Sequence, residues 1–105
     1  MIRLHQIAHG RAGDKGDRTN VSVIAHRAED WLVIRDQVTE SKISELFDRY
    51  GAGQVTRYEL PQLHALNFVI EDALGGGVNA SLALDRHGKC LSSLVLAEIW
   101  IDPAR

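Results

Sequence analysis

HGRAGDKGDRTN, residues 9–20, separates two short apolar runs, Ile2 to Ala8 before it and Val21 to Ala25 after it. The first run alternates loosely, with Ile2, Leu4 and Gln6 on one side and Arg3, His5 and Ile7 on the other, and reads as a strand. The second is short and β-branched and reads as another. The segment between them thus joins strand to strand. Its three glycines, Gly10, Gly13 and Gly16, permit close backbone approaches. Its three basic residues, Arg11, Lys15 and Arg18, can donate hydrogen bonds to an anion. Taken together, the composition predicts a binding loop.

Outward from this segment the pattern changes. Ala28, Trp31, Leu32 and Val38 recur near helical spacing, and Glu29 and Asp30 sit where a helix N-terminus favours negative charge. A second helix follows, with Ile43, Leu46, Phe47 and Tyr50 along one face and Glu45 paired with Arg49 outside. Gly51 or Gly53 should stop it. Gln54 to Leu60 alternates as a third strand, ended by Pro61 because proline lacks a ladder donor. Leu66 to Ile70 reads as a fourth strand, Val78 to Leu84 alternates again, and Asp85 to Lys89 reads as a turn. Cys90 to Asp102 admits two readings that both stay open: Leu91, Leu94, Val95 and Glu98 suit a short helix, while Glu98 to Ile101 suits a strand. No repeat or linker interrupts the chain, so residues 1–105 form one domain. Mostly antiparallel strands around a helical insert imply an α+β two-layer sandwich with helices packed on one face of the sheet.

With 45% apolar and 25% charged residues among 105, the balance is that of an ordinary globular domain. A domain of this size buries only about two-thirds of its unfolded surface, which makes homo-oligomerisation an expectation. The formal net charge of −2 gives no electrostatic reason to expect nucleic acid or an anionic membrane as partner. Cys90 is the single cysteine, so no intrachain disulfide forms. MIRLHQIAHG has neither the apolar core nor the cleavage signature of a leader, and the expected location is cytoplasmic.

The chemistry of a site can be weighed residue by residue. In the first segment, N–H groups around Gly13 and Gly16 could form a nest for a phosphate or carboxylate, closed by Lys15 or Arg11. The competing reading pairs Asp14 and Asp17 with Lys15, Arg11 or Arg18 and makes the segment a polar surface turn. Neither a Walker A loop nor a dinucleotide fingerprint is present. A second candidate is Asn67 with Gly75, Gly76, Gly77 and Asn79, where two amides could meet a carbonyl beside a tight backbone; a plain glycine-rich turn explains the same residues. His5 and His9 along one strand would lie about 13 Å apart, too far to share a metal ion. No metal and no cofactor is expected, and His9 remains a candidate acid or base. Cys90 reads as a small apolar residue, not a nucleophile. Asp14 and Asp17 could position water, but basic neighbours favour their ionised, pairing role.

Four ordered blocks give the chain a resemblance. Arg11 to Asp17 with Asn20, Tyr58-Glu59-Leu60-Pro61, Ala65 to Val69, and Ala73 to Gly77 together resemble the small ferredoxin-fold domain of the acyclic terpene utilisation (AtuA-like) family. The resemblance spans nearly the whole chain and implies a ferredoxin-like fold. In that family the domain often follows a larger one on the same polypeptide and is linked to catabolism of citronellol and geraniol through coenzyme A thioesters. It implies a ligand-binding or accessory module acting with a larger AtuA-like chain in acyclic terpene or acyl-thioester catabolism. The alternative is a subunit of an acyl-CoA-processing enzyme that lends Arg11 to Asn20 to a shared active site. The candidate ligand residues are Arg11, Gly13, Asp14, Lys15, Gly16, Asp17 and Asn20, with Asn67, Gly75, Gly76, Gly77 and Asn79 second. The expected ligand is an anionic small molecule or acyl thioester. Ala12 stands where the family's motif often carries serine, which removes a hydroxyl from the expected site. Gly13→Val is expected to destabilise if the segment holds a conformation that valine resists.

Overall fold

The computed structural model describes residues 1–15, 18–48, 53–71 and 90–103. Strand β1 (Ile2–Arg3) leads through a 3-10 turn, Leu4–Gln6, into β2 (Ala8–Lys15) and β3 (Arg18–Ala25). A 3-10 turn at Ala28–Asp30 opens helix α1 (Trp31–Gln37), followed by α2 (Glu40–Asp48). Strands β4 (Val55–Leu60) and β5 (Ala65–Glu71) flank the turn Pro61–Leu63, and α3 (Cys90–Glu98) precedes β6 (Trp100–Ile101).

Four strands form one antiparallel sheet in the order β2-β3-β5-β4. Because β3 and β4 both run antiparallel to β5, they are parallel to each other and joined by α1 and α2, a split β-α-β arrangement. One sheet face is apolar, since alternate residues share a side. Val21 and Val23 from β3, Leu66, Phe68 and Ile70 from β5, and Val55 from β4 are buried on it. Trp31 and Ile34 of α1, Ile43, Leu46 and Phe47 of α2, and Val95 of α3 complete the same core. Each such side chain contributes about 1.5–3 kcal/mol when fully buried. The fold is therefore the expected ferredoxin-like two-layer α+β sandwich, with the described helices on one face.

Several boundaries differ from the sequence reading. The expected strand Ile2 to Ala8 is a two-residue strand and a turn, because Leu4 points wholly into the core and its N–H bonds to the Ile99 carbonyl at 2.9 Å. The Arg3 N–H donates to Gln6 Oε1 at 3.2 Å and closes the turn. The expected loop at residues 9–20 is mostly strand, β2 running through Gly10 and Gly13 to Lys15 and β3 starting at Arg18. An antiparallel partner holds glycine in a ladder that its own propensity would not select. At Gly10 the glycine is required for space: a Cβ there would lie 2.8 Å from the Ser22 carbonyl oxygen and 3.2 Å from Ser92 Cβ on α3. In residues 90–102, where sequence leaves helix and strand as alternatives, the structure has a helix followed by a two-residue strand. The alternating run Val78 to Leu84, the turn Asp85 to Lys89, Arg49, Tyr50 and Gly51 lie outside the described residues.

The chain's last strand is fastened by one side chain. Gln37, at the end of α1 and 8% exposed, donates from Nε2 to the Asp102 carbonyl at 2.8 Å and accepts from the Asp102 N–H at 2.7 Å. β6 also pairs with β1, and the Arg3 guanidinium lies 5.0 Å over the Trp100 ring. Gln37→Ala removes both bonds and is expected to cost about 1–2 kcal/mol in urea unfolding, because two backbone groups lose their partners. A loss within experimental error would show that the clip does not stabilise the fold.

Candidate functional site

The other face of the four-stranded sheet carries no helix among the described residues. Its composition follows from register. Arg11, Ser22, Asn67 and Tyr58 sit side by side across β2, β3, β5 and β4. Gly13, Asn20, Val69 and Thr56 form the next row, and His9, Ile24, Ala65 and Leu60 the row on the other side. With strands about 4.8 Å apart, each row spans about 14 Å.

The central row is rich in donors. Ser22 Oγ lies 3.2 Å from Asn67 Oδ1, which leaves the Asn67 amide nitrogen with no protein partner among the described residues. Arg11 is exposed and has no carboxylate partner among the described residues. Tyr58 is 52% exposed at the far end of the row. Leu60 and Leu63 beside it are also exposed. A guanidinium, two amides, a hydroxyl and a phenol therefore converge on a flat, charge-poor surface. At one end Arg18 and Glu71 pair at 3.1 Å, an exposed bridge of at most about 1 kcal/mol. At another, His9 and His26 stack with centroids 5.2 Å apart.

The structure brings together residues that the sequence reading kept in two separate sites. Arg11, Gly13 and Asn20 of the first now share a face with Asn67 of the second. Asp14 and Lys15 lie in β2, opposite Thr19 and Arg18. Gly16, Asp17, Gly75, Gly76, Gly77 and Asn79 lie outside the described residues. Arg18 pairs with Glu71. Ser22 was not singled out from sequence; its one signal is its outward position between Val21 and Val23. Among the described residues no group of three or more His, Cys, Asp or Glu is placed to hold a metal ion, and no helix is long and apolar enough to cross a membrane.

The AtuA ferredoxin-like domain matches this chain over residues 2–101. The chain belongs to that family. Searches of curated proteins and of solved structures each gave no match. In this AtuA ferredoxin-like domain, three of the four sequence blocks that carry the resemblance map to described strands: Arg11 to Lys15 and Asn20 of the first to the β2–β3 pair, Tyr58 to Leu60 of the second to β4, and the third to β5. They are the strands that build the open face.

Proposed function

We propose that this AtuA ferredoxin-like domain is an accessory module that acts with a larger AtuA-like chain in acyclic terpene or acyl-thioester catabolism. Its open sheet face meets that chain. The observation that supports this is the make-up of the face: a four-strand-wide surface whose central rows hold Arg, Asn, Ser, Thr, Tyr and Val, with Arg11 as their one charged side chain. Protein interfaces are depleted in charge at their centres and enriched in tyrosine and arginine. Tyr58 and Arg11 are placed as anchors at the two ends of one row. Arg11 supplies the cation for a carboxylate on the partner or for an anionic ligand held between the two chains.

Titration calorimetry of the full chain against a purified larger AtuA-like chain tests the reading. Tyr58→Ala and Arg11→Ala are each expected to weaken binding by about 1–3 kcal/mol, the range of interface anchors. Both positions are exposed, so thermal stability should move by no more than about 0.5 kcal/mol. Undiminished affinity in both variants would overturn the assignment of this face. A parallel thermal-shift series with coenzyme A and branched acyl thioesters, repeated with Arg11→Ala, reports whether the arginine also serves a small anion.

A further inference from the structure

We propose that the edge of β2 is a docking site for a second copy of this chain, which would extend the sheet to eight antiparallel strands about a twofold axis at Ala12. The two edges of the sheet are treated differently. On β4 the outward Arg57 N–H is occupied by Glu40 Oε2 at 2.8 Å, and Pro61 follows the strand. A side-chain cap and a proline are the usual means of blocking an edge. β2 is longer, contains no proline and has no side-chain cap among the described residues.

The hydrogen-bonding phase of β2 follows from its neighbours. The Ala25 N–H bonds to the His64 carbonyl on the β5 side, and the His26 N–H bonds to the Ile7 carbonyl on the β2 side. Alternation along an antiparallel ladder then turns the odd-numbered peptide groups of β2 inward and those of Gly10, Ala12 and Asp14 outward. Among the described residues nothing bonds to the outward groups of Gly10 and Ala12.

Charge selects the register of self-pairing. Centring the axis on Arg11 would set Arg11 against Arg11, and like charges directly opposite are destabilising. Centring it on Ala12 sets Arg11 opposite Gly13 and Gly10 opposite Asp14. An edge alone buries too little for a stable dimer, which needs about 1,200 Å² in total. Helix α3 supplies the rest. It packs across β2 and β3, carries Leu94, Leu96 and Ala97 only half-buried, and has one charged residue, Glu98. Strand spacing puts the two α3 axes about 10 Å apart across the twofold, at the upper end of helix packing distances. The outer faces would merge, with two Arg11 side chains near the axis.

This inference stands apart from the partner proposed above, since the edge and the open face are different surfaces. The test is sedimentation of the full chain up to about 1 mM, the weakest association such a contact would give. A dimer is expected. Ala12→Pro deletes an outward N–H and no bond within the chain, so it should remain folded by circular dichroism and raise the dimer dissociation constant at least about tenfold. A wild-type monomer at that concentration, or a dimer that Ala12→Pro leaves unchanged, would overturn the proposal. Should the variant not fold, hydrogen exchange of the wild-type chain decides. Protection of the Gly10 and Ala12 amides that disappears on dilution is expected, and protection indifferent to dilution refutes the edge. Calorimetry of Ala12→Pro with the larger chain keeps the two proposals separate.

Discussion

Phe68→Ala is expected to lower the stability of this domain by about 3–5 kcal/mol, the range for losing a buried phenylalanine and leaving its cavity. Phe68 is 0% exposed, on the central strand β5 between Val21 and Arg57 in register. Its ring lies on the face that the three described helices cover, and a side chain removed there leaves surrounding strands that cannot collapse inward without breaking ladder bonds. A domain of this size has only about 5–15 kcal/mol in total, so the variant should lose roughly a fifth or more of its stability. Urea unfolding followed by circular dichroism measures it. Val69→Ala, one residue along and on the uncovered face, is the matched control and should cost far less. Similar losses at both positions would mean that the open face is packed as tightly as the core.

Gly10→Val should be the next most damaging change, at about 3 kcal/mol, the upper end for forcing extra atoms into a packed site. The obstruction at Gly10 is a backbone carbonyl, that of Ser22, at 2.8 Å, with Ser92 on α3 behind it. No rotamer of a neighbour relieves it; either β2 leaves β3 or α3 lifts off the sheet. Gly13→Val reverses the expectation drawn from sequence. A Cβ at Gly13 meets only the flexible Asn20 Oδ1, at 3.1 Å, and the residue sits in a strand where valine is favoured. Differential scanning calorimetry of the two variants should therefore separate them. Equal melting temperatures would place the constraint elsewhere.

The contrast between these glycines marks what a single sequence discloses. The spacing of Ile43, Leu46 and Phe47, the β-branched run from Val21 and the alternation before Pro61 state their periods locally, and all three elements formed as read. Residues 9–20 did not, because glycine and charge weaken a strand's local signal while a neighbouring strand supplies its bonds. The candidate site was legible as residues and not as a place. Arg11 and Asn67 are both candidates on sequence, yet their common row depends on the β2-β3-β5 register, a long-range property that no local window contains. Ser22 shows the limit most plainly: its importance lies wholly in whom it faces. The resemblance supplied what periodicity could not, the family and ferredoxin-like fold of residues 2–101.

The insertion of β5 between two parallel strands has a consequence for how the chain acquires its shape. As the polypeptide emerges, β2 and β3 can close as a hairpin and α1 and α2 can coil, but β3 and β4 have no bonds to offer each other until Ala65–Glu71 arrives between them. Roughly the first 60 residues must therefore wait as a loosely joined hairpin and helices, exposing Val21, Val23 and Val55, before the late strand locks both halves at once. Synthesis at about 5–20 residues per second makes that interval a matter of seconds. During it those valines lack their core partners, and transiently exposed apolar surface of that kind is prone to aggregate.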